Sequence, residues 1–366
     1  MRLRCERDAL ADALGTASRA SVSRGAALQA LSGLRLEVAG DELRVAGCDL
    51  DLTIETTVSV SAAADGVMVV PARLLVDIVR SLEPGAVALE GEDEELHVTS
   101  GRAEFAVRAF NVDDFPRLPA REGEAVSVPA GEFAEALRQV VPAAATDDNR
   151  PMLTGVLLTS ESGQGLRMVA TDSYRLAKRE LPGTTMLSQG QKVLVPARAL
   201  AELQRLLSGA EQLTVRLGAN DAGFEVGPVV LTTRLIEGDF PNYNQLIPQS
   251  APNRLVVARE PLVEAVRRMR LLVRESTTPV RMSLRPDGIE ISVATPDLGQ
   301  AKEDIDAKYE GAEMVVAFNP AYLVEAVEAA GGDEVVIQMV DSLKPAVIHP
   351  SEGDDYLHLL MPVRVP

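Results

Sequence analysis

The stretch Val70-Pro-Ala-Arg-Leu-Leu-Val-Asp-Ile-Val-Arg80 returns 125 residues later as Val195-Pro-Ala-Arg-Ala-Leu-Ala-Glu-Leu-Gln-Arg205. A weaker third version, Asn319-Pro-Ala-Tyr-Leu-Val-Glu-Ala-Val327, lies 124 residues further on. Self-similarity at one offset is the mark of tandem structural units, and it constrains the fold before any local reading. Other segments keep step. Asp8-Ala-Leu-Ala-Asp-Ala-Leu14 corresponds to Glu132-Phe-Ala-Glu-Ala-Leu137 and to Pro261-Leu-Val-Glu-Ala-Val266, and Asp114-Phe-Pro116 returns as Asp239-Phe-Pro241. Proline-rich stretches, Phe115–Pro119 and Ile247–Pro252, mark the joints. The expected organisation is three copies, over residues 1–122, 123–250 and 251–366, with no long or low-complexity linker between them.

Within a copy the order reads helix, strands, helix, strands. Leu74, Leu75, Ile78, Val79 and Leu82 recur at helical spacing and predict one apolar stripe over 71–82, with Arg73, Asp77 and Arg80 on the opposite face. The second copy repeats that polar face as Arg198, Glu202 and Arg205, and the third is expected to carry Tyr322, Ala326 and Ala329 there. Alternating runs such as Leu34–Val38, Val87–Glu90 and Leu213–Leu217 predict strands, with hairpin turns at Ala39-Gly-Asp-Glu42 and Pro286-Asp-Gly288. Each copy is therefore expected to be α+β, two helices on antiparallel sheet.

Composition excludes several classes. The 366 residues include no run of 18 uncharged apolar residues, so no membrane-spanning helix is expected. The start lacks an apolar signal segment, which points to a cytoplasmic protein. Cys5 and Cys48 are expected as buried thiols. His97, His349 and His358 lack metal-ligand spacing, so no metal or cofactor is expected. No P-loop and no nucleophile–base pair is recognisable, and Glu92-Asp-Glu-Glu95 reads as a solvated hairpin tip, so an enzyme is not expected. The net charge of −18 argues against a protein that simply adheres to nucleic acid, because such affinity comes from Lys and Arg displacing counterions. Any DNA function needs its positive charge gathered in one place. Arginines on the repeated helices, joined by Arg7, Arg19, Arg267, Arg268, Arg270 and Arg274, offer such a surface. The plainer reading is a set of solvated helices with weak intrahelical ion pairs.

Several segments resemble the bacterial DNA polymerase III beta subunit over essentially the whole chain: Ala170-Thr-Asp-Ser-Tyr-Arg-Leu-Ala177, Leu235-Ile-Glu-Gly-Asp-Phe-Pro-Asn-Tyr243, Tyr309-Glu-Gly-Ala-Glu-Met314 and Leu360-Met-Pro-Val-Arg364. The resemblance implies three DNA-clamp domains of like topology and a head-to-tail homodimer whose six domains close into a ring around double-stranded DNA, read without regard to sequence. It implies a processivity factor that tethers the DNA polymerase III alpha subunit, the clamp loader and other proteins bearing clamp-binding peptides. The residues expected to face DNA are Arg24, Arg73, Arg80, Arg138, Arg150, Arg198 and Arg205. For ring closure the resemblance points to Arg102, Phe105 and Arg108 on one edge and Leu271, Leu272 and Glu303 on the other, with Phe105 equally readable as a core residue.

An apolar peptide pocket is implied between the second and third domains. Matching positions from the second copy are Leu153, Thr171, Ser173, Tyr174, Leu176, Pro241, Gln245 and Leu246. The third copy contributes Ser342, Leu359, Leu360, Met361, Pro362, Val363 and Arg364. Gln245 stands where the family often has arginine, and Ser173-Tyr174 where it has a glycine–histidine pair. A specialised or antibiotic-resistant second clamp copy and a non-DNA scaffold are the alternative readings.

Overall fold

The structure, a computed structural model, describes residues 1–22, 28–161, 165–248, 250–273, 278–296 and 298–364. Arg24 and Arg274 lie outside the described residues. Six helices are described: α1 (Arg7–Ala17), α2 (Ala72–Ser81), α3 (Ala130–Val140), α4 (Ala197–Leu206), α5 (Arg259–Met269) and α6 (Pro320–Ala330). The chain forms two compact units, Met1–Gly131 with Arg198–Leu235, and Glu132–Ala197 with Ile236–Pro366.

The first unit holds a five-stranded sheet, in the order Ser61–Ala64, Arg2–Glu6, Ala86–Glu92, Glu95–Ser100, Ala103–Arg108. Its eight-stranded sheet runs Ala125–Pro129, Gln212–Leu217, Asp221–Val226, Val229–Arg234, Leu52–Ser59, Glu42–Cys48, Gly33–Ala39, Gly66–Pro71. The second unit holds a nine-stranded sheet that places Arg175–Pro182 beside Tyr356–Leu360. It also holds a four-stranded sheet with Gly299–Ile305 at one edge. All the pairings named here are antiparallel.

Strand alternation builds the cores. Arg2–Glu6 buries Leu3 and Cys5 and exposes its other residues, and these two join Leu10 and Leu14 of α1 and Leu75 and Val79 of α2 in one apolar cluster. Both cysteines are buried and free. Truncating a core leucine of this kind to alanine costs about 3 kcal/mol. In α2 the buried face is Ala72, Leu75, Val76, Ile78 and Val79, whereas Leu74 is 49% exposed. The expected stripe is thus rotated toward Val76, which the apolar cluster takes in and the sequence spacing left out. In α6, Asn319 caps the helix by accepting from the Ala321 and Tyr322 amides, with Pro320 as the first helical residue. Asn319 therefore takes the place of Pro71 and Pro196. The partly exposed positions equivalent to Arg73, Asp77 and Arg80 are Ala321, Glu325 and Glu328, while Ala326 and Ala329 are buried. The expected assignment of Tyr322, Ala326 and Ala329 is out by one residue.

The repeat extends to strand register. Leu3, Val126 and Leu255 each stand four residues before the first helix of their copy. Followed across successive strands, they lead through Leu89 and Val98 to Phe105, through Val215 and Phe224 to Leu231, and through Ile337 and Ile348 to His358. Leu231 lies opposite Ile54, and His358 lies opposite Ala177. Counted from Pro71, Pro196 and Asn319, the residues Ile54, Ala177 and Ala301 are in turn equivalent. Two strand junctions inside the chain therefore share one register. Phe105 and Ala301 occupy the matching positions on edge strands.

His358 is buried on its junction strand, its Nδ1 hydrogen-bonded to the Tyr356 hydroxyl at 3.1 Å. Burial, with the nearby Arg175 charge, pushes its pKa down from 6.5 to about 3. The unfolded chain takes up that proton below about pH 6.5 while the folded chain refuses it until about pH 3, so stability drains away as pH falls through this window. His358→Gln is expected to flatten the acid limb of the stability profile, as read by urea unfolding at pH 7 and at pH 5. An unaltered limb would place the titrating group elsewhere.

Candidate functional site

A tight turn in the second unit, Asp172–Tyr174, joins the strands Gly165–Thr171 and Arg175–Pro182. The Asp172 carboxylate shapes it: Oδ1 accepts from the Tyr174 and Arg175 amides at 2.9 and 3.0 Å, and Oδ2 from Arg175 Nε at 3.1 Å. Thr171 Oγ1 accepts from the Ser173 amide and donates to the Arg175 carbonyl. These bonds force Ser173 to φ +79°, a left-handed conformation that glycine takes freely. Tyr174 is left 63% exposed at the tip, and its carbonyl accepts from the Met361 amide at 2.9 Å. Two residues on, the Val363 amide donates to the Ala317 carbonyl at 2.7 Å. The segment 361–363 is thus pinned at alternate amides, leaving Met361 40% exposed.

Beneath lies an apolar cluster of Leu157, Val169, Leu176, Leu194, Tyr243, Val347 and Leu359, flanked by Met152, Phe240 and Ile247. Among the expected pocket residues, Leu153, Leu176, Leu359 and Leu360 are buried, so they form floor and not contact surface. Tyr174, Gln245, Leu246, Met361 and Arg364 are exposed, as is Pro241, while Ser342, Pro362 and Val363 are half-buried and Thr171 is buried. A groove of about 600 Å³ adjoins the cluster, lined by Leu157, Leu194, Ile236, Phe240, Pro241 and Tyr243 and rimmed by Glu161, Lys192 and Asp239. Of the expected set, only Pro241 lines that groove.

Sequence reasoning missed Asp172 and Arg175. Arg175 is nearly buried; it pairs with Asp172 and Glu325, donates to the Pro142 carbonyl at 2.6 Å, and stacks 4.2 Å over the Tyr322 ring. No signal in the sequence joins those five residues, since the contacts span three segments. Arg150, expected to face DNA, donates instead to Ser173 Oγ at 2.7 Å and to the Asp172 carbonyl at 3.3 Å.

The remaining arginines sit on helices or beside them. Arg73 is largely exposed and 3.8 Å from Asp77. Arg80 lies across α1 above Gly15, where a side chain would collide with its guanidinium. Arg198 pairs with Asp49, Arg205 with Glu202, and Arg138 in bidentate fashion with Glu135. On the edge strand Ala103–Arg108, Phe105 is 37% exposed, which removes the core reading for it. In the second unit Leu271 is 83% exposed and Leu272 half-buried, while Glu303 is held by both Nε and Nη2 of Arg268. That pairing lowers the Glu303 pKa.

The first unit carries a counterpart of the Asp172 turn. Asp49 Oδ1 accepts from the Asp51 and Leu52 amides, and Leu50 takes φ +85°. Its floor differs: Thr53, Thr232 and Thr233 stand at the places of Leu176, Leu359 and Leu360.

Comparison with known proteins matches three family models in order: the DNA polymerase III beta subunit N-terminal domain over residues 1–119, its central domain over 127–242 and its C-terminal domain over 244–364. The beta sliding clamp of Streptomyces coelicolor is 34% identical across 100% of both chains, and that of Staphylococcus aureus 30% identical across 94% of each. Among solved structures, the DNA polymerase sliding clamp of Bacillus subtilis superposes with a TM-score of 0.93 at 28% identity, each chain covered completely. The clamp of Bartonella birtlesii bound to griselimycin gives the same three values.

Because one buried Asp172 carboxylate serves three donors, Asp172→Ala is expected to lower stability by about 3 kcal/mol. Equilibrium unfolding measures this; a loss below about 1 kcal/mol would show that the turn is held by Thr171 and Arg150 alone.

Proposed function

The chain belongs to the DNA polymerase III beta subunit family and is a DNA sliding clamp, and we propose that it serves processivity and not catalysis and that two copies close head to tail into a ring around duplex DNA. The observation that carries the ring is the shared register. Each inner junction joins the last strand of one copy's second half to the fourth strand of the preceding copy's first half. The same two strand types, Ala103–Arg108 and Gly299–Ile305, are sheet edges within the chain. Pairing them between two molecules in the repeated register sets Phe105 opposite Ala301, Glu104 opposite Lys302 and Arg102 opposite Asp304. Both charge pairs are complementary, and a heterologous contact whose rotation closes makes a ring. The copies are assigned as residues 1–122, 123–250 and 251–366.

A ring holds DNA by topology, so it needs only weak, sequence-blind contacts. That reconciles a net charge of −18 with DNA function. Arg73, Arg80, Arg138, Arg198 and Arg205 are assigned to the DNA-facing surface, with Arg24 retained from the sequence and Arg150 placed at the Asp172 turn. The turn, segment 361–364 and the exposed Leu246 are assigned as a docking site for short peptides of polymerase, clamp loader and other partners. Polarizable, half-exposed Met361 over an apolar floor suits varied side chains. The ligand-bound Bartonella birtlesii clamp shows that a member of this family accepts a bound compound.

Loading onto nicked circular DNA tests the ring. Protein is expected to remain on the closed circle and to run off once the circle is cut; equal loss from both would favour a non-DNA scaffold. Cysteines replacing Ala106 and Gln300, which this register sets opposite one another, are expected to cross-link two chains on oxidation. Met361→Ala is expected to weaken binding of a polymerase-derived peptide about fivefold to tenfold by fluorescence anisotropy. Unchanged affinity would remove Met361 from the site.

A further inference from the structure

All six described helices carry a carboxylate at the same place, the sixth helical residue: Asp12, Asp77, Glu135, Glu202, Glu264 and Glu325. None of these is buried. In four helices the carboxylate holds an arginine of its own helix. Arg73 lies 3.8 Å from Asp77; Arg138 donates Nε and Nη2 to both oxygens of Glu135 at 2.7 and 2.6 Å; Arg205 pairs with Glu202; and Arg267 meets Glu264 at 2.8 Å. Glu202 also reaches Arg19 at 3.5 Å. The acid is more regular than the base, since α1 has Gly15 where α3 has Arg138 and α5 has Arg267, whereas the acidic position holds in all six.

We propose that this acidic position, in the four helices where it holds an arginine of its own helix, sets how weakly the ring grips DNA, by competing with phosphate for those arginines. The proposal rests on the sliding-clamp reading and adds to it the residues that limit the grip. An exposed intrahelical pair is only marginally stable, so a phosphate can displace the carboxylate, and the carboxylate can displace the phosphate in turn. A paired arginine that changes partner gains one ion contact and loses another. It therefore contributes less to counterion-driven affinity than an unpaired one. Such exchange leaves no phosphate held long, which a sliding ring requires.

The test is the triple variant Asp77→Asn, Glu135→Gln, Glu202→Gln, whose amides keep side-chain size and helix geometry. Its affinity for a short linear duplex at low salt, measured by fluorescence anisotropy, is expected to rise about tenfold over wild type. The log–log salt dependence should steepen by about one for each freed arginine that meets a phosphate. On nicked circular DNA the variant should diffuse more slowly in single-molecule tracking. Unchanged affinity and salt slope, or weaker binding, would overturn the proposal and leave these pairs with a helix-stabilising role only. If the triple variant fails to fold, Glu135→Gln and Glu202→Gln are read singly by the same two slopes. Wild-type protein leaving closed and cut circles equally fast would instead overturn the clamp reading, so the two failures are distinguishable.

Discussion

One backbone constraint organises the molecule: antiparallel pairing of the last strand of one copy with the fourth strand of its neighbour, at one register. Slipping an antiparallel pair by one residue turns every side chain to the other face. Leu231 opposite Ile54 and His358 opposite Ala177 thus fix which faces are core at both inner junctions. The constraint is stronger than any side-chain interaction here because it survives wide changes of residue. An aliphatic pair at one junction becomes a histidine–alanine pair at the other. His358 is buried there as a neutral ring with Tyr356 as the partner of its Nδ1. A rule that holds twice within the chain is the physical ground for expecting it a third time between chains.

The same constraint creates two equivalent turns and lets composition distinguish them. Asp49 and Asp172 both fold their backbones inward onto a carboxylate, and both force the following residue to positive φ. Beneath Asp172 lie leucines; beneath Asp49 lie Thr53, Thr232 and Thr233, all buried. A threonine floor offers an incoming apolar side chain far less transfer energy than a leucine floor, about 1–2 kcal/mol less per anchor. That difference favours the proposed docking site at the Asp172 turn over the Asp49 turn without any steric block at the latter. Arg150 and Arg175 add a second distinction. They brace the Asp172 turn from two sides, while the Asp49 turn is paired to Arg198.

Much of this was legible in the sequence, and the part that was not has a common cause. The repeat, the α+β class, the hairpin at Gly40–Asp41 and the helices after Val70 and Val195 follow from spacing and turn chemistry, which are local. The errors arise where a neighbour decides. Pro320 looks like the counterpart of Pro71, yet Asn319 takes the cap, and one residue of shift exchanges Ala326 and Ala329 for Glu325 and Glu328 on the outward face. Leu74 fits an apolar stripe, yet it is 49% exposed while Val76, outside that stripe, is buried. Arg150 has the charge expected of a DNA contact and spends it on Ser173 and Asp172. In the docking region, motif matching could name exposed Tyr174 and Met361 and buried Leu176 and Leu359 alike. Only the fold separates surface from floor.

Charge completes the account. A protein that must stay on DNA for long stretches and still move needs high residence and low friction, and simple electrostatic affinity cannot supply both, since every added phosphate contact lengthens each pause. Topology separates the two demands. In the proposed ring, with closure supplied by strand pairing, affinity would be free to be small, and the chain could carry its 54 acidic against 36 basic residues without losing its hold. The helices then need enough arginine to offset phosphate repulsion but not enough to trap the duplex. Arginines shared with a carboxylate a turn away, as Arg73, Arg138 and Arg205 are, would meet that requirement at the level of single side chains.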